Sequence, residues 1–329
     1  MNSILQCIFS TIPLCGYFIS SKFKKDINSK SSMKGQFALA FNDLLCEALK
    51  NAKNKHVKPS GFKKQLEKFA PQFYGYDQQD SQEFLRFLLD GFHEDLNRSQ
   101  EKPKFNYTDA ELDALSDRKK ALVSWNRYQL WNNSYIFDIF GGQLQSRVTC
   151  LRCKHQSSTF DTFWDLSLPI PKDTGTRRHT LDDCLREFSK EEQLDDEYKC
   201  EKCKSAQKAS KCLKIYKCPE ILVIHLKRFS FNVFIRKKIE DEVKFPTENL
   251  ILDYPVLSEV DGHDENIVYD LYGISNHIGG LGSGHYVAHC KSFKDNQWYL
   301  KNDEFVSKTT SEAGKDSTAY VLFYRRRHE

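Results

Sequence analysis

Proline and glycine are scarce in this chain, 9 and 15 of 329 residues, which excludes a collagenous or low-complexity sequence. An excess of one charge is missing too. The 49 basic and 45 acidic residues leave a net charge of +4, which speaks against a dedicated nucleic-acid binder, a zinc-ribbon one included. No run of eighteen apolar residues occurs, so no segment is expected to span a bilayer as a helix. The opening MNSILQCIFSTIPLCGYFIS is apolar but lacks the basic start of a secretory signal. Gln6 and Pro13 interrupt it, and Lys22, Lys24 and Lys25 follow it. Its Ile4, Leu5, Ile8, Phe9 and Ile12 recur at helical spacing, predicting an amphipathic core helix that ends near Pro13. The expected location is the cytoplasm or nucleus.

Aromatic residues are plentiful, 13% with 24 Phe and 15 Tyr, enough for sizeable cores. Eleven cysteines are an odd number, so a fully paired disulfide framework is impossible. Their spacing points to metal and thiol chemistry in a reducing compartment. The first third reads as helical. Phe84, Leu88, Phe92 and Leu96 make one apolar face, and Asp80 with Glu83 three residues later reads as a capping box that starts a helix at Ser81. Residues 98 to 127 read as a surface connection with one or two short helices. From about Ile136 the pattern turns to short strands: 144–150, 221–231, 268–274, 286–290, 297–301 and 319–324. Helices first and strands later predict an α+β fold.

Cys150-Leu-Arg-Cys153 and Cys200-Glu-Lys-Cys203 each place two thiolates on a tight turn. Together they supply four sulfurs, a closed tetrahedral shell for one structural Zn²⁺ with no open position for a substrate. Lys154 and Lys204 follow the two pairs and offset the thiolate charge. The bland alternative is thiols that only pack. Cys7, Cys15, Cys46, Cys184, Cys212, Cys218 and Cys290 are isolated and read as small apolar residues.

A glycine-rich run, Gly279-Gly-Leu-Gly-Ser-Gly-His285, leads into a predicted strand, so it is a mobile or close-approach loop rather than a phosphate loop. Hairpin register sets His285 within a residue or two of Asn302 and Asp303. A His beside an Asn that fixes its tautomer is the base and orienter of a hydrolase triad, although such a pair is also a common structural hydrogen bond.

Five further stretches join these. They are QQDSQEFL (78–85), FGGQLQSRVTCLRC (140–153), ILVIHLKRF (221–229), GHYVAHC (284–290) and WYLKNDEFV (298–306), and the start MNSILQC resembles the end of a cysteine box. In order and spacing the chain resembles the catalytic domain of ubiquitin-specific proteases. The resemblance implies a single domain over 1–329 shaped as a papain-like hand. In it, 1–135 would form a helical thumb and 136–329 a β palm and fingers, the fingers around 143–165 and 195–245. It implies His285 as general base, Asn302 as third triad member, Asp303 as an auxiliary polar residue, a zinc-retaining four-cysteine site, and Asp80 and Glu83 as holders of the basic ubiquitin tail. Ubiquitin and ubiquitinated proteins are the implied partners. The family's nucleophilic Cys falls two residues before the position of Met1, and its oxyanion Asn further upstream. The expectation is therefore an N-terminally truncated deubiquitinase chain, inactive by itself, with a natural inactive ubiquitin-binding form as the alternative. Cys7, about two turns (roughly 9 Å) down the first helix, is too far to substitute.

Overall fold

In a computed structural model the described residues are 1–328 except 51–55, 76–77, 100–103, 105–110, 113, 173–177, 232–235, 254–255, 258–266 and 281–282. Leu281 and Gly282 of the glycine-rich run, and most of residues 100 to 113 of the surface connection, therefore lie outside the described residues.

Apolar periodicity builds the helical part: α1 (Asn2–Phe9), α2 (Ile12–Ile19), α3 (Gln36–Lys50), α4 (Ser60–Phe69) and α5 (Ser81–Asp95). Phe18, Phe37, Phe41 and Phe92 from α2, α3 and α5 meet at ring-centroid separations of 4.6 to 5.5 Å, a cluster of tilted and edge-on aromatic pairs. The Asp95 carboxylate is fully buried, yet it accepts hydrogen bonds from Ser31 Oγ and from the backbone N–H groups of Gly35, Phe37 and Ala38. It thus satisfies the otherwise orphaned donors at the start of α3 and pins that helix to the end of α5.

Pro13 does not end the first helix; it starts the second. α1 stops at Ser10, and Pro13 occupies the first turn of α2, where its missing N–H costs nothing. The surface connection holds more than short helices: α6 (Asp117–Trp131) runs fifteen residues with only Ala121 buried. A short α7 (Tyr135–Phe140) leads into the strands.

The strands that build the two larger sheets and the knuckles are β1 (Gly142–Cys150), β2 (Gln156–Phe163), β3 (Leu166–Leu168), β4 (Tyr198–Cys200), β5 (Ser205–Gln207), β6 (Ala209–Lys217), β7 (Ile221–Leu226), β8 (Val268–Gly279), β9 (Gly284–Lys291), β10 (Trp298–Asn302), β11 (Phe305–Thr309) and β12 (Ala319–Arg326), beside short pairs such as Phe229–Phe231 with Arg236–Lys238. The main sheet runs β11-β10-β9-β8-β12-β7-β3, with Leu250–Ile251 paired to β8, and only β3 and β7 pair in parallel. β2, β1 and β6, with Glu192–Gln193, make a second, antiparallel sheet. β7 is buried on both faces, with the helical core against Val223 and a second core against Leu222 and Ile224.

Three features depart from expectation. The strand expected over 221–231 breaks after Leu226. Arg228 there is fully buried, and its guanidinium donates to the carbonyls of Ala319, Ile239 and Asp241. β8 continues five residues past Ile274, because its polar stretch finds partners inside. Ser275 Oγ bonds Ser3 Oγ, and Asn276 Nδ2 bonds Gly314 O and Thr318 Oγ1. An unexpected helix, α8 (Leu181–Phe188), interrupts the strand-rich half. Its capping box between Thr180 and Asp183, followed by Cys184 and Leu185 on one face with Leu181, was visible in the sequence.

Candidate active site and metal centre

β9 carries His285 at its start and β10 ends at Asn302, one strand away. Pairing begins at Ala288 opposite Lys301, so His285 overhangs the end of β10. From there His285 Nε2 lies 2.6 Å from Asn302 Oδ1 and 3.8 Å from Asp303 Oδ2. An amide oxygen only accepts, so Nε2 carries the proton and Nδ1 keeps its lone pair. Asp303 sits in the turn between β10 and β11 at φ +50°, a left-handed conformation that aspartate tolerates. It accepts from Asn2 Nδ2 at 2.6 Å, tying the turn to the first residue of α1. No local pattern marks Asn2 for this contact, since its partner is 301 residues away.

His285, its side chain 48% exposed, stands at the mouth of a cleft of about 450 Å³. Met1 to Ser3 at the start of α1 form one wall, Phe73, Gly75 and Gln78 another, and Gly284 with Tyr286 the third. Gln78 Oε1 accepts from Gly284 N at 2.9 Å and so holds the end of the glycine-rich run against the segment that precedes α5. Gly284 is required here because a Cβ would stand 2.1 Å from His277 Nε2. His277 packs between Phe229 and Tyr286, and burial lowers its pKa to about 4, so it is a neutral support under the run. Lys238 donates to the carbonyls of His277 and Gly279 and anchors the other end.

Asp80 caps α5 through Oδ1, which accepts from the N–H groups of Gln82 (2.7 Å) and Glu83 (3.0 Å). Its Oδ2 accepts from the Tyr320 hydroxyl, reaching across from β12. Asp80 therefore spends both oxygens inside the chain, while Glu83, in the first turn of α5, is exposed. Cys7 lies on the other side of α1 from the cleft. Its thiol is buried 3.8 Å from Cys290, and burial pushes its pKa well above the ordinary range. Among the described residues no cysteine lines the cleft.

The second cluster is remote from His285. The sulfurs of Cys150, Cys153, Cys200 and Cys203 all lie within 4.8 Å of one another, and Cys153 and Cys200 are 3.6 Å apart. Bonds of about 2.3 Å to one tetrahedral Zn²⁺ place sulfurs about 3.8 Å apart, so the four fit one such ion. The two knuckles share a backbone design. Lys154 N donates to Cys150 O and Lys204 N to Cys200 O, with Lys154 at φ +58° and Lys204 at φ +53°. The N–H groups of Cys153 and Arg152 point at Cys150 and lower its thiol to about 7, favouring the thiolate that a metal takes.

An imidazole oriented by an amide, beside a helix N-terminus on a mixed helix-and-sheet hand that ends in a four-cysteine cluster, makes this a papain-like peptidase fold. The chain belongs to the ubiquitin carboxyl-terminal hydrolase family, whose profile matches residues 1–324. Ubiquitin carboxyl-terminal hydrolase 2 of Bos taurus is 42% identical over 326 residues, covering 98% of this chain and 53% of that protein. Ubiquitin carboxyl-terminal hydrolase 21 of Homo sapiens is 34% identical over 341 residues, covering 99% and 59%. The chain thus spans about half the length of the curated relatives it matches. Among solved structures, the one described as the SAGA Ubp8/Sgf11/Sus1/Sgf73 DUB module bound to ubiquitin aldehyde aligns with a TM-score of 0.76 and 30% identity. That alignment covers 100% of this chain and 67% of the matched one.

Proposed function

We propose that this chain carries the base and orienting part of the machinery of a thiol-dependent deubiquitinase, an enzyme that cleaves the bond after the C-terminal glycine of ubiquitin. The observation that carries the proposal is the 2.6 Å contact from His285 Nε2 to Asn302 Oδ1 at the mouth of the cleft. It leaves Nδ1 as the free base. A cysteine thiol gives its proton to Nδ1 and attacks the glycine carbonyl, the imidazolium passes the proton to the leaving amine, and water then releases the acyl-enzyme. Asn302 holds the ring without adding charge, and Asp303 supports it from 3.8 Å. On this reading the reacting thiol belongs at the N-terminus of α1, where the helix dipole favours a thiolate. Glu83 and, through its remaining lone pairs, Asp80 receive the basic tail of ubiquitin.

The four cysteines hold one structural Zn²⁺, which supplies closure of the knuckles rather than chemistry. Residues 1–135 serve as the thumb and 136–329 as palm and fingers, with the knuckles at the tip of the fingers.

A second reading is a ubiquitin-binding chain without turnover, favoured by the lack of a cysteine lining the cleft among the described residues. Ubiquitin bearing a C-terminal electrophile separates the two. On the hydrolase reading it labels the chain extended upstream by its natural codons and leaves residues 1–329 unlabelled. An extended chain that binds ubiquitin and stays unlabelled supports the second reading. Labelling of 1–329 itself refutes the placement of the thiol.

A further inference from the structure

His285 stands between two clefts. On the side away from the cleft described above lies a groove of about 860 Å³, walled by Phe9 of α1, Leu44 of α3, Val57 and Pro59 before α4, and Phe305 and Val306 of β11. The two cavities share Asn2, His285 and Asp303, so the groove is continuous with the reaction centre.

The hydrolase reading, on which this inference rests, gives the scissile amide two sides. The ubiquitin tail takes the cleft beside Glu83. The imidazole must also reach the departing nitrogen to protonate it, so the amine side continues past His285 into the groove. The lysine departs as an amine and takes a further proton from water, and the carboxylates of Asp303 and Glu304 line the groove there, with Lys58 and Lys301 also on its wall.

The wall itself says what shape the amine side has. β11 is the terminal strand of the main sheet, with Phe305 71% and Val306 60% exposed. The two-residue turn Asp303-Glu304 makes Asn302 and Phe305 a hydrogen-bonded pair. The antiparallel alternation then turns the N–H and C=O groups of Val306 and Lys308 outward, away from β10. Among the described residues these groups have no backbone partner. An open strand edge with exposed apolar residues is a template for one more strand.

We propose that β11 binds the acceptor protein's segment around the isopeptide lysine as an added β-strand. Its apolar side chains rest on Phe305, Val306, Pro59 and Leu44, and its lysine lies past Asp303 and Glu304. Specificity for the modified protein then resides partly in this edge.

The test uses the upstream-extended chain and three substrates. One is ubiquitin amidated with a small fluorescent amine. The second is ubiquitin joined to the lysine of a short peptide of alternating valines and isoleucines. The third is the same conjugate with prolines flanking the lysine. Val306→Pro removes the outward N–H and keeps the pairing to β10; Val306→Ala keeps the N–H. Val306→Pro should lower kcat/KM for the valine-isoleucine conjugate about fivefold, the worth of one backbone hydrogen bond, and leave the small-amine substrate unchanged. Val306→Ala should retain most of the activity, and the proline-flanked conjugate should be cleaved by the parent chain no faster than by Val306→Pro. Equal rates for Val306→Pro and parent on the peptide conjugate overturn the proposal. So does an equal loss by Val306→Pro on the small-amine substrate, which would place the defect in the reaction centre rather than at the strand edge. Absence of turnover even with the small-amine substrate refutes the hydrolase reading, and this inference with it.

Discussion

With Zn²⁺ held by the four cysteines as proposed, its removal should melt one small part of the molecule and leave the rest standing. Between 150 and 155 and between 198 and 209 the only buried side chains are Cys150, Cys200 and Ala209, so the knuckles have no apolar core. β4 and β5 form an isolated three-residue hairpin, and such hairpins are marginal in water. Lys154 and Lys204 sit in left-handed backbone, each costing about 1–2 kcal/mol. Against this stand a few exposed backbone hydrogen bonds, each contributing about 0.5–1.5 kcal/mol. The protein terms roughly cancel. A structural Zn²⁺ contributes about 10–16 kcal/mol, so it dominates the local balance. Chelation, or Cys200→Ser, should therefore bring amides 198–207 close to unfolded exchange rates. Amides of β8 and β9 should keep their protection, being held by the continuous main sheet and its two cores. Hydrogen exchange with mass spectrometry, alongside elemental analysis expecting about one zinc per chain, reads this directly. Unchanged protection of 198–207 after complete metal removal would refute the reasoning, as would loss of protection throughout the main sheet.

Arg228→Met should cost about 3–5 kcal/mol, because three buried carbonyls lose a charged donor, and a lowered thermal midpoint checks it; a shift within error would mean water replaces the guanidinium. Acid should destabilise the fold through His225, which bonds Ser167 and whose pKa burial lowers to about 4. Between about 6.5 and about 4 the unfolded chain binds a proton that the native state refuses. The contribution is thus whole above 6.5 and falls by about 1.4 kcal/mol per pH unit on acidification, a slope that denaturant titrations should show reduced in His225→Gln. Asn302→Ala in the upstream-extended chain should lower kcat/KM about 10- to 100-fold by releasing the imidazole, with ubiquitin affinity little changed; equal loss of affinity would make Asn302 a binding residue.

What could be read from the sequence, and what could not, divides by the range of the interaction. The CxxC pairs were legible because two residues between cysteines dictate a turn whatever surrounds it, and the 4.8 Å clustering of the sulfurs followed. The nearness of His285 to Asn302 was legible because two residues only 17 positions apart in one hairpin are held by its register. Asp80 was legible as a cap but not as a partner of Tyr320, which lies 240 residues away and is chosen by the packing of α5 on the sheet. Gln78 went unnoticed for the same reason, since Gly284 is 206 residues distant. Pro13 was misread by a different route. A proline at a helix end and one in a first turn look alike locally, and the difference lies in whether the chain bends by the 81° found between α1 and α2.

Arg228 shows how partners distant in sequence decide what happens at the end of an element. A strand that stops must direct its next residues somewhere, and solvent is the default for a cation. Here Lys227 stays exposed while Arg228 turns inward, and the carbonyls of Ala319 and of Ile239 and Asp241 converge on it from two segments. Each of these carbonyls would be costly to bury unpaired, and one planar guanidinium serves all three. Burial lowers its pKa only to about 10, so it stays a cation at neutral pH. Ala319 opens the strand that carries Tyr320, whose hydroxyl holds Asp80 at the start of α5. Arg228 thus fixes the support of the helix terminus beside the cleft, although it never reaches the cleft itself. A chain that replaced it with lysine would keep the charge and lose the fork, and with it the common anchor of the two segments.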